Sequence, residues 1–150
     1  MKGMIGLTRE KSCGALVMRR GSDGKLYILM IRQSRCGYRS FPKGHVEPGE
    51  SERMTAEREV FEETAVRISV RSDFRRTVTY SPSPGILKDV VYFIAFTDTE
   101  KTHPREGEIA EVSWIPLDAA EKSLAHENDR VVFRAAMKHP EVIAFTGEKH

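Results

Sequence analysis

The sequence predicts an α/β domain in which a mixed sheet lies between helices, and three observations predict it. Short apolar runs and helical patterns follow one another without the regular strand–helix–strand rhythm of a parallel sheet. Two of the runs, Cys13 to Met18 and Leu26 to Ile31, are nearly continuous, as in strands covered on both faces. At 150 residues the chain can bury about two-thirds of its unfolded surface, enough for one core without staples. Residues 1–150 are therefore expected to form a single domain, with about 1–10 as an N-terminal tail or edge segment.

The elements follow in order. Gly21-Ser22-Asp23-Gly24 reads as the turn between the first two strands. Pro42, Gly44, Pro48 and Gly49 break the chain into a loop, after which Ser51 can cap a helix running to about Glu63 or Thr64. On that helix Ala56 and Val60 adjoin Glu59 and Glu63 around the circumference, so packing the first pair on the sheet would leave the carboxylates at the lip of the core. Arg67 to Tyr80 alternates as extended structure does, Ser81 to Gly85 reads as a loop, and Val90 to Phe96 as a strand. A further strand, Val112 to Ile115, stops at Pro116. Leu117 to Leu124 and Asn128 to Lys138 are helical in pattern, with Val131, Phe133, Ala136 and Met137 as the apolar side of the second.

A net charge of +2 argues for neither nucleic acid nor membrane as a partner. Eight Lys or Arg residues between Lys11 and Val46 face only Asp23; lining a cleft, they would draw in a polyphosphate, and otherwise they are a solvated basic surface. Cys13 and Cys36 are isolated thiols expected to stay reduced. With no stretch resembling a signal peptide and no run of about eighteen apolar residues, a cytoplasmic protein is the default expectation.

The chemistry concentrates between Gly44 and Val66. Helical geometry brings Glu59, Glu62 and Glu63 within about a third of a turn of one another. Like charges at such spacing cost roughly 0.2–0.5 kcal/mol per pair, and hard oxygen ligands select magnesium, manganese or calcium. Three glutamates alone would suit an ordinary solvated helix face. Gly44, Glu50 and Arg58 at fixed offsets, with Phe41-Pro42-Lys43 just ahead, make a longer and more specific pattern.

That pattern resembles the Nudix signature, G-x5-E-x7-R-E-U-x-E-E-x-G-U with U aliphatic. Gly44, Glu50, Arg58-Glu59, Val60, Glu62-Glu63 and Val66 all match, while Ala65 stands where the family has glycine. The resemblance implies an α/β/α sandwich and Mg²⁺- or Mn²⁺-dependent hydrolysis of a phosphoric anhydride by an activated water. It makes Glu59 and Glu63 the main metal ligands, and Glu62 a further ligand or the group handling the attacking water. Arg58 becomes scaffold paired with Glu50, and the Gly44 carbonyl a candidate ligand. Glu108, six residues before Trp114, matches a metal-binding or base-like glutamate of similar loops and could equally be a solvated one. His45, His103 and His126 have no ligand spacing.

The block from Phe41 to Glu50 also looks like that of the asymmetrically cleaving diadenosine tetraphosphate hydrolases. Phe74-Arg75-Arg76, Tyr80, Lys88, Val90, Tyr92 and Trp114 fall where that subfamily has similar residues. The likeness casts Tyr80 and Tyr92 as base-stacking candidates, Tyr92 equally as core, with Lys43 and Lys88 as phosphate contacts and Phe41 beside them. A tryptophan common before Phe-Pro-Lys is missing, and Arg39 lies near its place. The expected substrate is a small nucleotide or polyphosphate, foremost a dinucleoside polyphosphate. The alternatives are another nucleoside diphosphate derivative, a damaged nucleoside triphosphate, an inositol pyrophosphate, or a non-catalytic nucleotide-binding regulator. The oligomeric state stays open.

Overall fold

In the computed structural model, which describes residues 6–147, the first strand is longer than the apolar run at its centre. β1 (Thr8–Arg20) buries Cys13 to Met18 and begins at Thr8 because it pairs in parallel with β6 (Ile86–Phe96), from Thr8 beside Ile86 to Met18 beside Phe96. Of the expected tail or edge segment, residues 8–10 thus belong to a central ladder, and residues 1–5 lie outside the described residues. β2 (Leu26–Gln33) returns antiparallel to β1 across the Gly21–Gly24 turn, where Gly24 takes a φ of 81°. β3 (Arg39–Ser40) pairs with β2, and β4 (Lys43–His45) with β1; both are too short to have been read as strands in the Pro/Gly loop. β5 (Arg76–Ser83) forms a hairpin with β6, and β7 (Ile109–Pro116) lies antiparallel to β2. The path β3-β2-β1-β6-β5, with β4 attached to β1 and β7 to β2, is a mixed sheet.

Two expectations are corrected here. The alternating stretch from Arg67 forms no ladder until Arg76; its backbone is held instead by α1 (Glu52–Thr64), where Arg53 donates to the carbonyls of Val70 and Ser72 and Glu57 accepts the Val70 N–H at 2.8 Å. Ser81-Pro82-Ser83 continues β5, and only Pro84-Gly85 turns. The sheet path ends at β5 and the register shifts between Tyr80 and Ser83, so Pro82 deprives no neighbour of a ladder hydrogen bond.

The helix α1 starts as its cap predicts, with Ser51 Oγ accepting the Met54 N–H at 3.1 Å. Ala56 and Val60 are fully buried, the first against Cys13, Val91 and Phe93, the second against Ala15, Val17 and Leu29. The opposite face of the sheet carries Leu16, Met18, Tyr92 and Ile94. There it is covered by α2 (Ala120–Ser123), α3 (Glu127–Met137) and α4 (Pro140–Gly147), the last unread in the sequence. On α3 the inward residues are Asp129, Val132, Phe133 and Ala136, spaced three and four apart, whereas Val131 is 46% exposed; the expected apolar side was off by one residue there. Among the described residues no helix is long and apolar enough to cross a membrane.

Ala65, in the place of the signature's glycine, takes the left-handed backbone that the motif requires, with φ 66° and ψ 14°, its N–H bonded to the Phe61 carbonyl at 2.8 Å. The helix ends as it would with glycine, at a steric cost of about 1–2 kcal/mol. Ala65→Gly should therefore stabilise the protein by about 1 kcal/mol and raise Tm by about 2–4 °C, because relief of the strain exceeds glycine's added unfolded-state entropy. A melting curve that does not move upward would show that Ala65 bears no such strain.

Candidate active site

Strand β4 and helix α1 build the site between them. Gly44 lies opposite Cys13 in the ladder, so the α-hydrogen side of its backbone looks toward α1. A Cβ built there would fall inside the carboxyl group of Glu59, so glycine is required for the loop to close on the helix. Glu59 and Glu63 are only 8% and 9% exposed. Glu63 accepts the Lys43 N–H at 3.1 Å, while the more exposed Glu62 receives Arg58 at 3.0 Å and Arg105 at 3.2 Å.

One guanidinium organises the carboxylates. Arg58 grips Glu50 through Nε at 2.6 Å and Nη2 at 2.9 Å, donates to the His45 carbonyl at 2.9 Å, and reaches Glu59 at 2.8 Å. Glu50 also accepts the Thr55 hydroxyl and the Glu47 N–H, tying the loop to the helix. These charge-assisted bonds, led by Arg58, hold the Glu50 carboxyl well down, to about 2. Burial does the reverse to Glu63, pushing it up to about 8 against the pull of the Lys43 N–H, with Glu59 and Glu108 nearby adding to the rise. Glu59 is also raised by burial, which Arg58 opposes. Two desolvated carboxylates around a glycine cradle suit a hard divalent cation, which would offset their burial.

Two clefts adjoin at Lys43. The first, of about 520 Å³, is lined by Lys43, Gly44, Glu59, Glu62, Glu63 and Lys88, with Arg35, Arg105 and Glu108 among the other residues at its wall. Glu108 is exposed and paired with Arg105 at 2.6 Å, so it sits beside the carboxylates yet outside the buried cluster. Burial lowers the Lys88 pKa, and the neighbouring Lys43 charge lowers it further. The second cleft, of about 440 Å³, is walled by Val78, Tyr80, Val90 and Tyr38, with Lys43 and Asp129 among its polar groups. Tyr80 is half-buried there. Tyr92 contributes to its floor, but the ring is in the core and its hydroxyl donates to Asp129 at 3.3 Å. Phe41, expected beside the substrate, is fully buried edge-on to Tyr92 and reaches neither cleft, because β3 and β4 turn it inward.

The basic run from Lys11 to Val46 disperses. Lys11 pairs with Glu52, Arg32 and Arg39 share Glu111, and Arg19 lies over the rings of Tyr27 and Trp114; only Arg35 and Lys43 of that run line the carboxylate cleft. Trp114 is spent on that stack and on the Glu100 carbonyl, and His126 packs edge-on to Tyr38. Asp73, His139 and Glu141 also gather, outside both clefts. The His139 ring is already engaged by Asp73 at 2.7 Å and by the Glu141 N–H at 3.2 Å, which fastens α4 to the 65–75 segment. Sequence reasoning missed Asp129, although an acidic residue in register with the apolar face of α3 was a readable signal. It also missed Tyr38 and Arg105, whose places depend on loops.

Comparison with known proteins agrees with this architecture. The NUDIX domain family matches residues 9–136. An 8-oxo-(d)GTP phosphatase of Mycolicibacterium smegmatis is 33% identical over 120 residues, 80% of this chain and 36% of that protein. A mutator protein of Mycobacterium tuberculosis is 34% identical over 81% of the chain and 52% of its own length, so the chain spans between a third and about half of these mycobacterial relatives. The asymmetrical bis(5'-nucleosyl)-tetraphosphatase of Sus scrofa is 31% identical over 73% of the chain and 81% of that protein. Among solved structures, a binary complex of the C. elegans Ap4A hydrolase superposes with a TM-score of 0.74 at 27% identity, covering 83% of this chain and 93% of that one. The α/β/α sandwich, the signature carboxylates gathered over Gly44 and these matches agree: the chain belongs to the NUDIX domain family.

Proposed function

We propose that the chain is a pyrophosphohydrolase, dependent on Mg²⁺ or Mn²⁺, that cleaves a phosphoric anhydride in a dinucleoside polyphosphate of the diadenosine tetraphosphate kind. The observation that carries this function is the buried Glu59–Glu63 pair closed over Gly44, in a cleft that shares Lys43 with an aromatic-walled neighbour. A divalent cation would be held by Glu59, Glu63, Glu62 and the Gly44 carbonyl, with Glu108 from the loop, and would supply neutralised phosphate oxygens and a more acidic water. The chain's own groups do the rest. Glu62 or one of its neighbours takes the proton of the attacking water, Arg58 keeps the carboxylates in place, Lys43 and Lys88 meet phosphate oxygens, and Tyr80 offers a ring to the base. Residues 1–150 would act as one domain on a small nucleotide, and the free thiols of Cys13 and Cys36 suit a reducing cytoplasm.

A second substrate, an oxidised purine nucleoside triphosphate, is favoured by the likeness to the M. smegmatis 8-oxo-(d)GTP phosphatase. An inositol pyrophosphate has less support, since the basic run is spread over the surface rather than gathered in the cleft.

Turnover of a panel of pyrophosphates tests the proposal. Activity should require added Mg²⁺ or Mn²⁺ and vanish in excess chelator; turnover that persists in chelator, or binding of the panel without turnover, would remove the hydrolase assignment. On diadenosine tetraphosphate, Tyr80→Ala should weaken kcat/KM by the roughly 1–3 kcal/mol that stacking on a base is worth, with Tyr80→Phe nearly neutral. Lys43→Ala should depress every polyphosphate alike. Were Tyr80→Ala to match wild type, Tyr80 would not be the base platform.

A further inference from the structure

We infer that Ser12 is a phosphate-binding hydroxyl, which together with Lys43 and Lys88 forms an anion subsite in the carboxylate cleft. The inference rests on the polyphosphate function just proposed and narrows it, because it gives the cleft a second phosphoryl position besides the one at the glutamates.

Ser12 is fully buried, yet its Oγ has no hydrogen-bond partner among the described residues, although it borders the cleft. An unpaired buried hydroxyl is costly, and a small apolar residue would serve the central strand better. Strand register says where the hydroxyl points. Cys13 packs toward α1, so Ser12 faces the other side of the sheet, in line with its ladder partners His45 on β4 and Val90 on β6. Two residues on along β1, Lys43 of β4 lies opposite Gly14, and two residues back Lys88 of β6 lies beside Glu10, both on that same face. The two long side chains thus approach the hydroxyl from either side, and all three groups line the cleft. The lysines are near enough for the Lys43 charge to act on Lys88, so a phosphoryl group at Ser12 lies within their reach. A non-bridging phosphoryl oxygen accepts from several donors at once, and two neighbouring lysines favour its charge even with Glu10 and Glu63 near Lys88. The glutamates, by contrast, can meet phosphate only through a cation. One cleft thus offers a metal-mediated position and a directly bonded one, which fits a chain of at least two linked phosphoryl groups.

The test measures binding without turnover, by calorimetry with Mg²⁺. It uses inorganic bis(methylene)triphosphate and its adenosine ester, whose bridges resist hydrolysis, on the full chain and on Ser12→Ala. The variant should bind both ligands about tenfold more weakly, the effect of losing a hydrogen bond to a charged group, while the Tm of the ligand-free protein stays level or rises. Affinities within twofold of wild type would overturn the subsite. So would a lowered Tm, which would make the hydroxyl a structural anchor, or a loss confined to the adenosine ester, which would place it against the nucleoside. Turnover of the pyrophosphate panel by wild type is scored separately. Ser12-dependent binding without turnover would sink the hydrolase function and keep the subsite, and turnover with Ser12-independent binding would do the opposite.

Discussion

Glu63→Gln should lose nearly all turnover and yet melt at a higher temperature than wild type in alkaline buffer containing chelator. The two effects share one cause. Glu63 is 9% exposed and its carboxyl is pushed up to about 8 by burial, so in the metal-free protein its charge is unwelcome. With the folded value above the ordinary 4.5, the folded state holds the proton more tightly than the unfolded chain. The resulting stability is present below about 4.5 and lost as pH rises through 8, by an amount on the order of a few kcal/mol. Glutamine keeps the shape and carries no charge, so the variant should escape that loss above pH 8 and match wild type in acid. The same neutral amide is a poor ligand and no base, and kcat should fall by about 10²–10⁴-fold, the range for a positioned proton-transfer group. For wild type the rate should climb from neutral to alkaline pH, as the carboxylates and the attacking water lose protons. Full activity of the variant would end the proposed role of Glu63. A lower alkaline Tm in chelator would show that its burial is not the source of strain assigned to it.

Arg58→Ala should be the most destabilising single change at the site, by about 2 kcal/mol. The Arg58–Glu50 pair is part-buried, so the cost falls between the up to about 1 kcal/mol of an exposed pair and the roughly 3–5 kcal/mol of a buried one. The guanidinium bonds Glu50, Glu59, Glu62 and the His45 carbonyl, so its removal strands several acceptors and unpins the loop from α1. Arg58→Lys should recover only part of this, because an ammonium cannot reproduce the two-pronged grip on Glu50. The pH dependence has the opposite sign to that of Glu63. Glu50 is held at about 2, below its ordinary value, so its contribution is present above about 4.5 and disappears as pH falls toward 2. The alanine variant should lack that acid-side slope. Equilibrium denaturation between pH 2 and 7 measures both, and a change under about 0.5 kcal/mol, ordinary for a surface position, would demote Arg58 to an exposed pair.

Much of this site could be read from the chain because it is local. The cap at Ser51, the helix to Thr64 and the Arg58–Glu50 pair all lie within one short segment, where a 3.6-residue period and fixed offsets carry the geometry. Reading failed where position depends on partners elsewhere in the chain. Thr8 to Lys11 is polar and shows no strand signal, yet it extends β1 because β6 lies alongside. β3 and β4 exist only as pairs with β2 and β1, and they turn Phe41 into the core. Asp129 and Tyr38 meet in the second cleft from segments distant in sequence, and no period connects them.

The parallel ladder between β1 and β6 also has a consequence in time. Strand β1 leaves the ribosome with its apolar run bare, and its partner at Ile86–Phe96 follows only after α1 and β5 have been made. Until then one edge of that run is open, with unpaired backbone groups and bare apolar side chains, the kind of surface on which chains aggregate. The hairpin with β2 can form early, but the sheet that supports both clefts cannot close until the chain reaches residue 96. Loop closure over such a distance places folding toward the slow, milliseconds-to-seconds end of the small-domain range. Cooler synthesis, which slows aggregation while the edge is open, should therefore yield more soluble protein than any change confined to α1.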